Sequence, residues 1–173
     1  MKDKKTTTVG LVIGKFTQLH KGHVDLLKFA LKTVDKVFVV VYHTPDRTSI
    51  PLDERAGWIR ALVPDERLVV IEGWDAPNRH EDTPEVRRLQ EDYLGRVMDG
   101  IGLTHIISSE DYADHLSKYL GVKNVMYDKE RARRPISSTM IRENVEKYLD
   151  QIPELIRHRV LQDNFVDSGS NDE

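Results

Sequence analysis

Gly14-Lys15-Phe16-Thr17-Gln18-Leu19-His20-Lys21-Gly22-His23 follows the apolar run Val9 to Ile13 and precedes the amphipathic stretch Val24 to Val34. Strand, glycine-bearing turn and helix start, in that order, aim backbone N–H groups and the positive end of a helix dipole at one point. His20 and His23 stand three residues apart at that helix start, so both can face one anion, and Lys15 adds charge beside the turn. This is an arrangement suited to the phosphates of a nucleotide. Two histidines at this spacing also suit a metal ion, but such a site needs a third protein ligand. The chain has no H-E-x-x-H pattern and no cysteine to supply it. Taken alone, these residues can also be read as an ordinary turn with two polar histidines.

Outward from this stretch, apolar and β-branched runs alternate with helical ones. Val9–Ile13, Lys36–Tyr42, Leu68–Ile71, His105–Ile107 and Asn124–Tyr127 read as strands, nearly continuous in Val, Ile, Leu and Phe, as expected of strands covered on both faces. Val24, Leu27, Leu31 and Val34 mark one face of a helix. Leu52–Val63 reads as a second, bounded by Pro51 and Pro64, and Thr83–Met98 as a third, with Thr83 as its N-cap and Pro84 in its first turn. Ser109–Tyr119, Ser138–Leu149 and Pro153–Leu161 supply the rest. The pattern predicts a doubly wound, parallel, five-stranded α/β sheet with helices on both faces. The polar loop Gly73–Asp82 leaves the third strand, where an open parallel sheet binds its ligands.

Composition narrows the class. With 173 residues the chain suffices for one domain with a sizeable core: a flexible segment over 1–8, a domain over 9–162 and an unstructured polar tail over 163–173 are expected. A net charge of −3 gives no global basic field for nucleic acid, so any phosphate recognition is local. The absence of cysteine excludes disulfides and thiolate metal sites, and the N-terminal apolar run is too short for a signal peptide or membrane span. A soluble, cytoplasmic setting with no nucleic-acid or membrane partner is expected. A homo-oligomer is compatible with the sequence.

A second stretch matches the first in kind. Arg131-Ala132-Arg133-Arg134-Pro135-Ile136-Ser137-Ser138-Thr139-Met140-Ile141-Arg142 is a basic loop running into Ser-Ser-Thr, which caps a helix with Ile141, Val145 and Tyr148 or Leu149 on its apolar face. Helix start, hydroxyls and Arg142 one turn in form another anion cradle. A capped helix behind a solvated loop is the plain reading of this stretch alone. Two such cradles, each at the carboxyl end of a strand in one parallel sheet, are hard to assign to chance.

On these residues the chain resembles the nucleotidylyltransferase superfamily. Its members carry a G-x-F-x-P-x-H-x-G-H loop near the N-terminus and an I-S-S-T-x-x-R loop near the C-terminus. Gly14, Phe16, His20, Gly22 and His23 match the first, and Ile136, Ser137, Ser138, Thr139 and Arg142 match the second throughout. The resemblance covers roughly residues 9 to 150 and implies a single Rossmann-like domain. Gly14-Lys15-Phe16 and Ile141-Arg142-Glu143-Asn144 are most similar to the NadR-type nicotinamide mononucleotide adenylyltransferases.

The resemblance implies transfer of AMP from ATP to a phosphorylated small-molecule acceptor, nicotinamide mononucleotide first, giving NAD and pyrophosphate. It places His20, His23, Lys15 and Arg142 in catalysis, with Lys15 near the reacting α-phosphate. Gly14, Phe16, Gly22, Ser108, Ile136, Ser137, Ser138 and Thr139 then line the ATP site. Mg²⁺ bridges phosphate oxygens, and no protein residue is expected to ligate a metal. For the acceptor the candidates are Trp74, whose indole face attracts a pyridinium cation, Arg55 and Tyr93. Helix-surface and core roles stand beside these for Arg55 and Tyr93. Two departures stand out: Gln18 replaces the family's proline, and Thr83–Met98 lacks the tryptophan that related enzymes place there. No G-x-x-x-x-G-K-[ST] is present, so kinase activity of the kind carried by NadR-type proteins is not expected. A cytidylyltransferase, a phosphopantetheine-type adenylyltransferase and a non-catalytic nucleotide-sensing module are the other readings.

Overall fold

The computed structural model describes the backbone of residues 6–170 and the side chains as far as Asp163. Five strands, β1 (Val9–Gly14), β2 (Lys36–Tyr42), β3 (Leu68–Gly73), β4 (His105–Ser108) and β5 (Lys123–Met126), form one sheet in the order β3-β2-β1-β4-β5. Every pairing is parallel, with Val9 opposite Lys36, Val37 opposite Leu68, Gly10 opposite His105 and His105 opposite Lys123. The crossovers are α1 (Lys21–Thr33), α2 (Leu52–Leu62), α3 (Pro84–Val97) and α4 (Ala113–Leu120). The strand order reverses at β1, so the carboxyl ends of β1 and β4 open a crevice, which is where such sheets place ligands.

Both faces of the sheet are covered. Val12, Val37, Val39 and Val41 pack toward α1, α2 and the C-terminal elements, whereas Leu11, Val40, Tyr42 and Ile106 pack toward α3 and α4. That is why β2 is apolar at nearly every position: Val37, Val39, Val40 and Val41 are all inaccessible to solvent. Thr83 caps α3 as expected, its Oγ1 accepting the Val86 N–H at 3.2 Å.

Three boundaries differ from the sequence reading. The fourth helix begins at Ala113 rather than Ser109, because Ser108 Oγ accepts the Glu110 N–H at 2.9 Å and turns the chain first. The expected helix Ser138–Leu149 is cut to α5 (Ser138–Glu143), followed by 3₁₀ turns at Glu146–Gln151 and Glu154–Ile156. Asn144 breaks it, with φ −156° and ψ 81°. Its side-chain oxygen accepts the Lys147 N–H at 3.2 Å in place of a helical bond. Ile141, Val145, Tyr148 and Leu149 still face the core, so the apolar face was read correctly although the helix was not.

The third difference is at the C-terminus. Helix α6 runs Arg157–Ser170, and Asp163, placed by the sequence reading in an unstructured tail, is 1% exposed. Its carboxylate accepts hydrogen bonds from Thr48 Oγ1, Ser49 N and Ser49 Oγ at 2.8–2.9 Å. Residues 171–173 and 1–5 lie outside the described residues. In the segment expected to be flexible over 1–8, Thr8 is held: its N–H and hydroxyl both donate to Asp35 Oδ2.

Candidate active site

A cavity of about 1130 Å³ opens over the carboxyl ends of β1 and β4. Its wall contains Gly14, Lys15, Phe16, His20, Gly22 and His23 from the first motif, Ser108 from the end of β4, and Ile136, Ser137, Ser138, Thr139 and Arg142 from the second. The two cradles therefore face one space. They also touch: Arg142 Nη1 donates to Gln18 Oε1 at 3.1 Å, while Arg142 Nη2 donates to Thr139 Oγ1 at 3.2 Å.

The glycines of the first motif make room for its rings. A Cβ on Gly14 would lie 2.9 Å from the Phe16 ring, and one on Gly22 would lie 2.8 Å from the His20 ring. Phe16 itself takes φ 53°, which curls the turn back over Gly14, and its ring meets His23 edge-on at 5.1 Å.

His20 and His23 stack at a centroid distance of 3.8 Å. Two imidazolium cations would repel at that distance, and the surroundings keep both neutral. Burial, with Arg131 and Arg134 nearby, pulls His20 down to about 4. Burial, the neighbouring His20 and Arg131 hold His23 well below the ordinary histidine range. His23 Nδ1 accepts the His20 backbone N–H at 3.2 Å, so the proton of the neutral ring sits on Nε2. The pair thus offers N–H donors rather than charge. Positive charge in the wall comes from lysine and arginine side chains, Lys15, Arg131 and Arg142 among them. Lys15 is lowered from the usual lysine value by burial and by Arg47, with Asp46 opposing.

The basic loop of the second motif is largely engaged. Arg131 Nη1 donates to Ile136 O at 2.9 Å and Nη2 pairs with Glu110 at 3.2 Å, tying the loop to the end of β4. Arg134 is held by Asp25 at 2.6 Å and Gln151 at 3.1 Å, and Arg133 lies over the Tyr127 ring at 5.6 Å.

The three residues expected to bind the acceptor are not in the cavity wall. Tyr93 is 1% exposed in the core, edge-on to Tyr42 at 5.7 Å, with its hydroxyl above Gly73. Its core role prevails because α3 turns that face onto the sheet. Trp74 is 54% exposed on the loop after β3, beside His43 at 5.1 Å. Arg55 is not a surface arginine, and its guanidinium is engaged by the backbone rather than turned to the cavity. It is 1% exposed and its guanidinium donates to the carbonyls of Ile50 at 3.2 Å, Tyr42 at 3.0 Å and Lys15. Burial lowers it to about 10 against the opposing charge of Asp163. It is the post on which the Lys15 turn is fixed, and a lone Arg on a helix gave no signal of that.

The sequence reading singled out neither Asp46 nor Tyr42, and it named His80 and Tyr112 only as members of the polar loops after the third and fourth strands, all four of which line the cavity or its edge. Tyr112 donates to Ile13 O at 3.1 Å beneath the cavity, and burial pushes its phenol up to about 12. Lys15 Nζ lies 2.7 Å from His80 Nδ1.

Residues 11–144 match the profile of the cytidylyltransferase-like family. The chain belongs to that family. Its sequence is 26% identical over 164 residues to the trifunctional NAD biosynthesis/regulator protein NadR of Escherichia coli K12, covering 87% of this chain and 40% of that protein. It is also 42% identical over 55 residues to the phosphopantetheine adenylyltransferase of Fusobacterium nucleatum, 31% of this chain and 34% of that enzyme. Each match thus covers less than half the length of the relative. Among solved structures, a NadR protein in complex with NAD and AMP-PNP superposes with a TM-score of 0.63 at 22% identity, covering 87% of this chain and 46% of the other. A bifunctional NMN adenylyltransferase/ADP ribose pyrophosphatase from Francisella tularensis, complexed with AMP and a manganese ion, gives 0.52 at 13% identity, over 71% and 37%. These likenesses bear out the nucleotidylyltransferase resemblance and the Rossmann-like fold. Among the described residues, no helix is long and apolar enough to cross a membrane.

Proposed function

We propose that this cytidylyltransferase-like chain transfers AMP from ATP to the phosphate of a small acceptor, nicotinamide mononucleotide in first place, releasing pyrophosphate. The observation that carries the reading is the convergence of both motifs on one cavity, joined by the Arg142–Gln18 hydrogen bond. The preference for this acceptor rests on the NadR likeness across 87% of the chain.

The reaction is attack of an acceptor phosphate oxygen on the α-phosphorus of ATP. The second pKa of a phosphate monoester is about 6, so the nucleophile is already ionised near neutrality and needs no general base. What remains is alignment and stabilisation of charge. The neutral N–H donors of His20 and His23, the hydroxyls of Ser138 and Thr139 and the guanidinium of Arg142 hold the triphosphate. The Lys15 ammonium sits beside the α-phosphate, on a turn anchored by Arg55.

Among the described residues, no group of three His, Cys, Asp or Glu side chains could hold a metal ion. The donors of the cavity are ammonium, guanidinium, imidazole N–H and hydroxyl groups, which suit phosphate oxygens. A divalent cation such as Mg²⁺ fits this site as part of the metal–triphosphate complex, held mainly by the nucleotide, where it offsets charge on the phosphates. Ser138 and Thr139 are the hydroxyls available to it.

A phosphopantetheine-type acceptor is the second reading. It is favoured by the position of Trp74 outside the cavity wall, which removes the expected stacking partner of a pyridinium ring, and by the 42% match to a phosphopantetheine adenylyltransferase. Pyrophosphate release from ATP, measured across a panel of phosphorylated acceptors, tests both readings. Turnover is expected with nicotinamide mononucleotide above all others. Preference for phosphopantetheine selects the second reading, and tight nucleotide binding without turnover on any acceptor contradicts both.

A further inference from the structure

His80 stands in the polar loop between β3 and α3, far in sequence from either motif, yet its ring bridges two charged side chains at the cavity. Lys15 Nζ is 2.7 Å from His80 Nδ1, and His80 Nε2 is 2.9 Å from Asp46 Oδ2. An ammonium can only donate, so Nδ1 is the acceptor and the ring proton lies on Nε2, pointing at Asp46. Asp46 is itself oriented, its Oδ1 accepting from Thr44 Oγ1 at 3.3 Å. The His80 segment is braced as well: Glu81 Oε2 accepts the His80 N–H and Arg79 Nε, both at 3.1 Å. The line Asp46–His80–Lys15 thus joins the loops that follow β2, β3 and β1.

We infer that His80 is a positioning residue for adenylyl transfer, fixing the direction of the Lys15 ammonium while Asp46 fixes the tautomer of the imidazole. The inference rests on the adenylyl-transfer reading above. Lys15 is partly buried and lies in the field of Arg47 and Arg142, both of which disfavour its charge. Of the charges acting on it only Asp46 favours the ammonium, and the acceptor at His80 Nδ1, itself held by that carboxylate, lies within hydrogen-bond distance of it. One of its three N–H bonds is used on His80, which leaves two for oxygens of the transferring phosphate. The histidine therefore sets where those two point, in the way that outer partners orient the groups that touch a reacting centre.

The test is a double-mutant cycle with turnover and thermal midpoint read together. His80→Leu is expected to lower kcat by about tenfold or more while the KM for ATP changes by less than about threefold. His80→Asn, whose Oδ1 can stand where Nδ1 stood, is expected to recover most of kcat. In a Lys15→Met background His80→Leu is expected to cost less than about twofold, since the group it orients is gone. Long-range proton–nitrogen correlation spectra of the wild-type chain should show His80 with the proton on Nε2 and Nδ1 bare. A proton on Nδ1, failure of His80→Asn to rescue, or an equal loss from His80→Leu with and without Lys15 overturns the inference. Failure of the underlying reading is separately visible: the wild-type chain would release no pyrophosphate with any acceptor, and the role given to His80 would fall with it.

Discussion

Arg142 Nη1 donates to Gln18 Oε1 at 3.1 Å, a contact between residues 124 positions apart that closes one motif onto the other. Gln18 is inaccessible to solvent and takes the place of a proline, so the chain exchanges a rigid ring for a hydrogen bond that holds the arginine. A bond to a charged group contributes about 1.5–3 kcal/mol. Gln18→Leu is therefore expected to raise the KM for ATP about tenfold, with a smaller effect on the KM for the acceptor. Steady-state pyrophosphate release at varied ATP checks it, and an unchanged KM would mean that Arg142 needs no such support.

Arg55 separates structure from chemistry. Removing its guanidinium leaves buried carbonyls of Lys15, Tyr42 and Ile50 without their donor. Arg55→Met is expected to lower stability by about 3–5 kcal/mol, by analogy with the breaking of buried charged networks. For a chain of this size that is a fall in Tm of roughly 10 °C. Differential scanning calorimetry decides. An unchanged Tm with lost turnover would instead make Arg55 a ligand for substrate.

Gly22 gives the opposite outcome. Alanine in the first turn of a helix is favourable by itself, by about 1 kcal/mol over glycine. Its Cβ would stand 2.8 Å from the buried His20 ring and 3.3 Å from Ile136. Gly22→Ala is expected to keep its thermal midpoint within a few degrees and lose at least about tenfold in kcat, because a small misplacement of an aligned donor is costly. Parallel melting curves and rate measurements test the pair of outcomes.

The buried histidines set a pH dependence of stability. His20 is held down to about 4 in the folded chain, against 6.5 for an ordinary histidine. Between those values the unfolded chain takes up a proton that the folded one refuses, so stability falls as pH drops from about 6.5 toward 4. At 3% exposure the full effect of His20 is about 3 kcal/mol. Above pH 7 neither state binds the proton and the term vanishes. Thermal midpoints across pH 4 to 8 should show the loss, and His20→Asn should flatten it. A midpoint independent of His20 would contradict the burial argument.

Much of this was legible in the sequence because two physical patterns write themselves strongly. Strands covered on both faces must be apolar throughout, as in Val37 to Val41, and a phosphate cradle at a strand end needs its glycines, as at Gly14 and Gly22. Helix ends were less legible. Asn144 breaks the helix expected over Ser138–Leu149 through one side-chain hydrogen bond that competes with the backbone, although the apolar face continues past it. The anchors of the site were not legible at all. Arg55, His80 and Asp163 act through contacts with segments remote in sequence, and nothing in their spacing distinguishes a buried, fully bonded charge from a solvated one. Tyr93 and Trp74 were no easier to place: an aromatic that packs in the core, as Tyr93 does, and one left on the surface, as Trp74 is, carry equal signals along the chain.

The most direct test of the central claim follows the α-phosphorus. With ATP labelled there and nicotinamide mononucleotide as acceptor, the account predicts that the label appears in the dinucleotide product and that pyrophosphate is released unlabelled, with His23→Ala slowing both while the fold persists. Label remaining in ADP, with a phosphate gained by the acceptor, would show cleavage at the γ-phosphate and contradict the account.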